Sequence, residues 1–542
     1  MNKWFAFIAI ALVLVANALW FYSTLGWDAV DDAYISYVYA RNVILGHGLT
    51  FNPSERVEGF SNFLWTAMMT PIVALNLDVG RLSSALGVAF GIGVLALVIR
   101  FPRWLGIPAL IGWMAALFLA VDGSFALWSV SGLETPMFAF LIALGAFLYV
   151  QEQGNGTNAF IRLTKEKFPF SGIVFALAAM TRPEAGAVFA LVVAHQVAWR
   201  LMDQRKLFTR GDVARVISFV ALFVPYWLLR WRYYQAFLPN SFYAKVSVGG
   251  PIAQITRGWE HVQQFVGVHL GWVILLPAVI ALVVVSARYL RRGNAGAGNA
   301  AASVPYNGVD AGRERSPQRS DTVRRAFFGF TLFATIILMY GVYIVYVGGD
   351  WSVGRFFVPM LAFVYLLIAA GIYWMIEFIL HRFASRRAQG AMLLAILVAL
   401  ALWFASAYNG EYKIFIGGFD AALATEARIT AGRWLKENVS PGTWIAVDAA
   451  GQVPYFSELP AIDMFGINDI HIGRMPVANL GSGTPGHEKF DLGYIIARAP
   501  KYVVIYGTLF DNVTEYKRAQ MKWTANPALE EFLTIYERAD SE

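Results

Sequence analysis

Residues 1–32 read MNKWFAFIAIALVLVANALWFYSTLGWDAVDD. The run from Trp4 to about Tyr22 has the length and apolarity needed to cross a hydrocarbon core, roughly 20 residues. Lys3 marks its cytoplasmic end. Paired carboxylates, Asp31 and Asp32, follow at the other end, and the same segment goes on to Asp28's further companions Glu55 and Glu58. The triplet Ala16-Asn17-Ala18 could pass for a signal-peptidase site. With or without cleavage, the chain emerges on the outer side.

Similar apolar runs recur to about Ser406 and then stop. The whole chain of 542 residues is 58% hydrophobic and 15% charged, against about 25% charged in a soluble domain. Water is therefore not its main solvent. A net charge of +7 would suggest nucleic acid in a soluble protein. Here the arginines cluster between apolar runs, which is the topology signal of membrane proteins, so nucleic acid is set aside. Without cysteine the chain has no disulfide, thiolate nucleophile or cysteine zinc site.

The stretch 63–77 decides the topology. If it spans, the arginine-rich loops near 100–103, 200–215 and 288–325 all fall outside. If it lies in the outer interface as an amphipathic helix, with Trp65 at headgroup level, they fall inside, as the positive-inside rule prefers. Eleven spans follow, near 4–23, 82–99, 107–121, 136–150, 170–181, 183–200, 214–230, 264–287, 326–347, 356–379 and 391–408. The N-terminus is then cytoplasmic and the C-terminus external, in a multi-pass cell-membrane protein. Residues 293–323, rich in Gly, Ala and Ser, read as a disordered cytoplasmic loop. Residues 1–408 form the transmembrane part. Residues 409–542 form a small external, or periplasmic, α/β domain, with a helix over 425–438, buried strands at 444–447 and 502–505, and a helix within 488–498.

The outer segments each carry polar residues beside a span. Asp31 and Asp32 sit where a lowered dielectric can raise a carboxylate pKa, so a general base is plausible there. The competing reading is that they cap the helix expected over 33–45. The other segments are SVSGLETP (129–136), TRPEAG (181–186), LPNSFYAKV (238–246) and GGDWSVGRFF (348–357). They place three cations, Arg182, Lys245 and Arg355, on the outer side against the general bias. An anionic ligand would explain them, and so would local pairing of Arg182 with Glu184 or of Arg355 with Asp350. The histidines show no zinc-ligand spacing. Carboxylates could hold Ca²⁺ or Mg²⁺, no cofactor being required, and no phosphate-binding G-x-x-x-x-G-K-S/T loop is present.

The acidic pair in DDAYISYVYARNVILGHGLTFNP, followed by RVEGFSNFLW, resembles the C-type glycosyltransferase superfamily. Within it, SGLETP, TRPEA, LPNSFYAK, GGDW, the block DAAGQVPYFSELPAIDMFGINDIHI and PGHEK resemble the AftB-like terminal arabinofuranosyltransferases of cell-wall arabinan synthesis. The resemblance spans nearly the whole chain apart from 293–323. It implies a polyprenyl-phosphate sugar donor, a glycan acceptor, inversion at the anomeric carbon and a catalytic aspartate in the first external segment.

The expected mechanism assigns the base to Asp31, with Asp32 as alternative or as acceptor-orienting residue. Arg355 and Lys245, then Arg182, would hold the donor phosphate. Glu134, Glu184, Asp350 and Glu58 could hold sugar hydroxyls. Tyr34, Trp65 and Trp351 offer aromatic faces, or simply interfacial anchors. Asp463, Asn468, Asp469, His471 and His487 lie in loop sequence of the outer domain and could contact the acceptor, although loop polarity alone would also account for them. Two alternatives stay open: the same chemistry with another acceptor (aminoarabinose to lipid A, or sugar to protein), and a polytopic transporter or flippase. Transporters usually show repeated halves with charges near the midplane, whereas these charges crowd one face.

Overall fold

The structure, a computed structural model, describes residues 3–153, 168–202, 207–246, 251–267, 271–301, 317–382, 420–478, 480–519 and 532–539, with a few more between 385 and 391. Among them, seven helices are long and apolar enough to cross a membrane. These are α1 (Lys3–Thr24), α4 (Val79–Leu105), α7 (Thr135–Gln153), α9 (Ala185–Met202), α10 (Arg210–Tyr234), α14 (Pro317–Val347, of which Thr322–Val347 qualifies) and α15 (Val358–Arg382). A bent pair brings the number to eight if it is counted as one span. Helix α5 (Ala109–Val121) turns by 63° into α6 (Gly123–Val130). Asp122 makes the corner, accepting from the Phe125 amide at 2.7 Å and from the Tyr365 hydroxyl at 2.5 Å. All eight residues of α6 are buried, so this part of the expected outer segment 122–135 is packed core.

Other expected spans take different forms. Residues 170–181 form α8 (Phe170–Thr181), only 12 residues long. The expected span 264–287 is divided. It takes the end of α12 (Pro251–Phe265), a 3₁₀ turn (Trp272–Ile274) and the start of α13 (Leu275–Ala301). The span at 391–408 lies outside the described residues. The loop expected over 293–323 is helical at both ends, because α13 runs to Ala301 and α14 starts at Pro317; its middle lies outside the described residues.

Helix α2 (Asp31–Ile44) places both aspartates in its first turn, where their charge complements the helix dipole. Its N-cap is Val30, and no side chain caps it. The capping reading of Asp31 and Asp32 is therefore not realised at α2. Helix α3 (Phe63–Ala74) has 12 residues, about 18 Å of rise, too short to span. Trp65 is fully buried and donates from Nε1 to the Gly132 carbonyl at 3.0 Å. The headgroup position expected for Trp65 is thus replaced by a packing role. Tyr34 is likewise buried, bonded through its hydroxyl to Asp28 at 2.7 Å, and offers no free face.

Helix α11 (Asn240–Lys245) closes this part of the chain against the C-terminal domain. That domain is a five-stranded sheet in the order β2-β1-β3-β5-β4. The strands are β1 (Ile445–Val447), β2 (Ala461–Asp463), β3 (Tyr502–Tyr506), β4 (Tyr516–Arg518) and β5 (Leu533–Arg538). β1 pairs parallel with β2 and β3, and β5 runs antiparallel to β3 and β4. α16 (Ala421–Asn438) packs Ala427, Ala431 and Leu435 on one face with Ile445, Val447 and Val504. Ile472 of α18 (Ile470–Arg474) and Ile495 of α19 (Leu492–Ala497) pack on the other face with Ala446, Val503 and Ile505. Coverage on both faces explains why the parallel strands read as unbroken apolar runs. α17 (Gln452–Ser457) links β1 to β2.

Candidate functional site

A cavity of about 160 Å³ opens between the helical part and the C-terminal domain, lined among others by Asp32, Glu134, Arg182, Glu184, Lys245 and Arg355. Six residues singled out in five separate sequence segments therefore meet in one place. α2 delivers Asp32, the turn before α7 delivers Glu134, the α8–α9 junction Arg182 and Glu184, α11 Lys245, and the 3₁₀ turn before α15 (Arg355–Phe357) Arg355.

Arg355 is the centre of this arrangement. Its guanidinium lies 3.2 Å from Asp32, 3.6 Å from Asp350 and 3.9 Å from Glu134, and sits 5.7 Å over the Trp128 ring. Arg182 pairs with Glu134 at 3.0 Å and with Glu184, so local pairing holds for Arg182 and, more loosely, for Arg355. Asn62 donates to Glu134 at 2.7 Å. Trp351 donates from Nε1 to Asp32 at 3.2 Å. Lys245 lines the cavity with no ion-pair partner among the described residues.

The two aspartates face different ways. Burial pushes the Asp32 carboxyl up, but Arg355 and Lys245 outweigh it and hold the group below the usual carboxylate range. Glu134 is treated the same way: burial raises it, and Arg182 and Arg355 bring it below its ordinary value. Asp31 points to the C-terminal domain, accepting from the Gly451 amide at 3.1 Å and the Gln452 amide at 2.8 Å. Burial leaves its carboxyl raised. Asp31 does cap a helix, but the helix is α17.

The remaining sequence candidates lie elsewhere. The Glu58 carboxylate is buried in an ion pair with Arg230 and does not reach the cavity. Asp350 sits behind Arg355. His471 is on the surface, 2.8 Å from Asp491 and stacked on Tyr494 at 4.1 Å. His487 is exposed, its ring 4.7 Å from that of Phe465. Asp463 and Asp469 shape the loop after β2, Asp463 by accepting from the Phe465 and Asn468 amides and Asp469 from the Ile472 amide. Asn62, Tyr343 and Ile467 line the cavity without having been singled out. Arg230 was a legible signal, since a cation ends the expected span 214–230.

No group of three or more His, Cys, Asp or Glu among the described residues is arranged to hold a metal ion. The carboxylates of Asp32, Asp350 and Glu134 lie 3.2, 3.6 and 3.9 Å from the Arg355 guanidinium.

Comparison with known proteins bears on this geometry. ArnT from Cupriavidus metallidurans bound to undecaprenyl phosphate matches with a TM-score of 0.57 over 100% of this chain and 99% of that one, at 12% identity. The two chains share one fold. The apo state of the same ArnT gives 0.55, over 98% of this chain and 96% of that one, also at 12% identity. An Archaeoglobus fulgidus oligosaccharyltransferase in complex with Zn and sulfate gives 0.52 at 12% identity, covering 91% of this chain and 68% of that one. A family model described as a domain of unknown function (DUF8728) matches residues 420–540. No curated protein matches the sequence.

Proposed function

We propose that the protein is an inverting glycosyltransferase that moves a sugar from a polyprenyl-phosphate carrier to a glycan acceptor on the outer membrane face. The observation that carries this reading is the meeting of Asp32, Arg355 and Lys245 in one cavity, within a fold shared with an ArnT that binds undecaprenyl phosphate. A sugar phosphate is already activated. Its transfer needs a base for the acceptor hydroxyl and cations for the departing phosphate.

Asp32 takes the base role in this reading, and Asp31, whose oxygens serve Gly451 and Gln452, takes a positioning role. The acceptor oxygen attacks the anomeric carbon as the bond from that carbon to the phosphate oxygen breaks. The hydroxyl proton passes to Asp32, and the phosphate leaves as an anion held by Arg355 and Lys245. In the unliganded state Arg355 makes Asp32 a weak base. A donor phosphate competing for the same guanidinium frees the carboxylate and raises its proton affinity when it is needed. In this reading Glu134 and Glu184, both paired with Arg182, receive sugar hydroxyls.

The sugar is proposed as D-arabinofuranose, making the enzyme a pentosyltransferase of cell-envelope biogenesis, on the motif resemblance alone. The test is turnover of synthetic decaprenyl-phosphoryl arabinofuranose by the purified protein, with and without an arabinan oligosaccharide. Loss of lipid-linked sugar that depends on Asp32 supports the reading. Absence of turnover with this donor, alongside turnover of undecaprenyl-phosphoryl aminoarabinose, would transfer the reading to another sugar.

A further inference from the structure

The sheet of the C-terminal domain reverses direction of travel at β1. From β1 the chain passes through α17 to β2 on one side, then returns to lay β3 on the other side. Such a reversal leaves a crevice outside the carboxyl ends of the two central strands, and open α/β sheets bind their ligands there. The strand ends here meet the membrane part. After β1, Gly451 packs so closely on α2 that a Cβ would lie 1.8 Å from the Asp31 carbonyl oxygen. After β2, Ile467 lines the cavity and Asn468 bonds the Tyr39 hydroxyl at 3.2 Å.

The β1–β3 crevice itself is bordered by groups that the catalytic cavity does not use. Asp448, the first residue after β1, accepts from the Tyr506 amide at 2.7 Å and so ties the two strand ends together. The Tyr506 ring is 61% exposed at the end of β3, beside Phe532 at 5.0 Å, and Leu509 follows, also exposed. His487 lies within electrostatic reach of both Asp448 and Asp32. Arg428 of α16 lies within reach of both Asp448 and Asp31. Next to His487, Gly486 packs on the Lys245 side chain, whose Cε would lie 3.2 Å from a Cβ there. The 485–489 loop therefore reaches Lys245, a residue that lines the cavity.

We infer that this crevice, bordered by Asp448, Tyr506 and His487, is a binding subsite for a hydroxyl-rich saccharide, the acceptor of the transfer reaction. The chemistry fits that class. A carboxylate and an imidazole exchange hydrogen bonds with vicinal hydroxyls, and an exposed phenol ring offers a face to the C–H side of a sugar. A chain held there would present its terminal hydroxyl past His487 towards Asp32. The inference rests on the transferase reading and assigns its acceptor to a place outside the donor cavity.

The test is saturation-transfer NMR on the full-length protein in nanodiscs, using a methyl α-(1→5)-arabinofuranosyl trisaccharide and maltotriose as probes. At least one should receive saturation from the wild type, and Tyr506→Ala should weaken its binding by about three- to tenfold, the scale of a single aromatic contact. Asp448→Asn, which keeps an oxygen for the Tyr506 amide, should weaken it comparably. Undecaprenyl phosphate affinity should stay within about twofold in both variants, because neither residue lines the donor cavity. Equal saturation in wild type and both variants, or none from either probe, overturns the inference. Failure of the wild type to bind undecaprenyl phosphate would instead overturn the transferase reading, so the two failures are separable.

Discussion

Asp31 and Asp32 are neighbours in sequence, yet their carboxylates are held by different parts of the molecule. Asp31 takes the Gly451 and Gln452 amides of the C-terminal domain, and Asp32 takes Arg355 and Trp351 of the membrane part. The division predicts distinct phenotypes. Asp32→Asn keeps size but loses basicity and should lower transfer by about 10²–10⁴-fold with folding intact. Asp31→Asn turns an amide NH₂ towards N–H donors and should cost about 1–3 kcal/mol of stability. Parallel measurement of kcat and thermal midpoint separates the two. Equal loss of kcat without a stability change in Asp31→Asn would return the base role to Asp31.

Arg355 sets the protonation of Asp32, which gives a pH prediction with a definite sign. In the wild type the Asp32 pKa lies below its ordinary value because Arg355 and Lys245 outweigh burial. The base form therefore persists well into acid. In Arg355→Lys the charge remains and the acid limb of kcat/KM, which reports the unliganded enzyme, should move little. In Arg355→Ala burial is opposed only by weaker partners, the pKa rises, and activity should fall at a higher pH. An unmoved acid limb in Arg355→Ala would show that another group limits the rate in acid.

Lys245 lines the cavity with its charge available to a ligand. Lys245→Ala should raise the KM for lipid-phosphate donor by roughly ten- to a hundredfold, the value of one hydrogen bond to a charged group at about 1.5–3 kcal/mol. The acceptor KM should change far less. A steady-state matrix varying both substrates distinguishes donor from acceptor effects, and an unchanged donor KM removes Lys245 from the phosphate site.

Glu58 and Arg230 form a buried pair. Glu58→Ala leaves a guanidinium without its counter-charge and should destabilise by about 3–5 kcal/mol. The acceptor KM of the protein that remains folded should equal that of the wild type. A raised acceptor KM with an unchanged thermal midpoint would restore the sugar-binding role read from the sequence.

Much of this architecture was legible because one physical variable dominates it. Apolar length marks α1, α4, α10 and α15, and unbroken β-branched runs mark β3. The site residues were legible for a related reason: cations such as Arg355 and Lys245 beside spans are costly unless used. The allocation of Asp31 and Asp32 was not legible, because it depends on Gly451 and Gln452, some 420 residues later. Trp65 misled because an interfacial tryptophan and a buried one have the same local sequence. At the Asp122 corner only the local cap on the Phe125 amide could be read from sequence, because the second partner, the Tyr365 hydroxyl, is some 240 residues away.

The fit of Gly451 against the Asp31 carbonyl has a consequence for reading natural variation in this chain. Only a hydrogen atom fits at that point, so even alanine there is a wedge driven between two domains. Such an allele would score as a loss of enzyme while the residue touches neither donor nor acceptor. Its suppressors would be found on α2, among changes that let the helix back away, and not among residues that handle sugar.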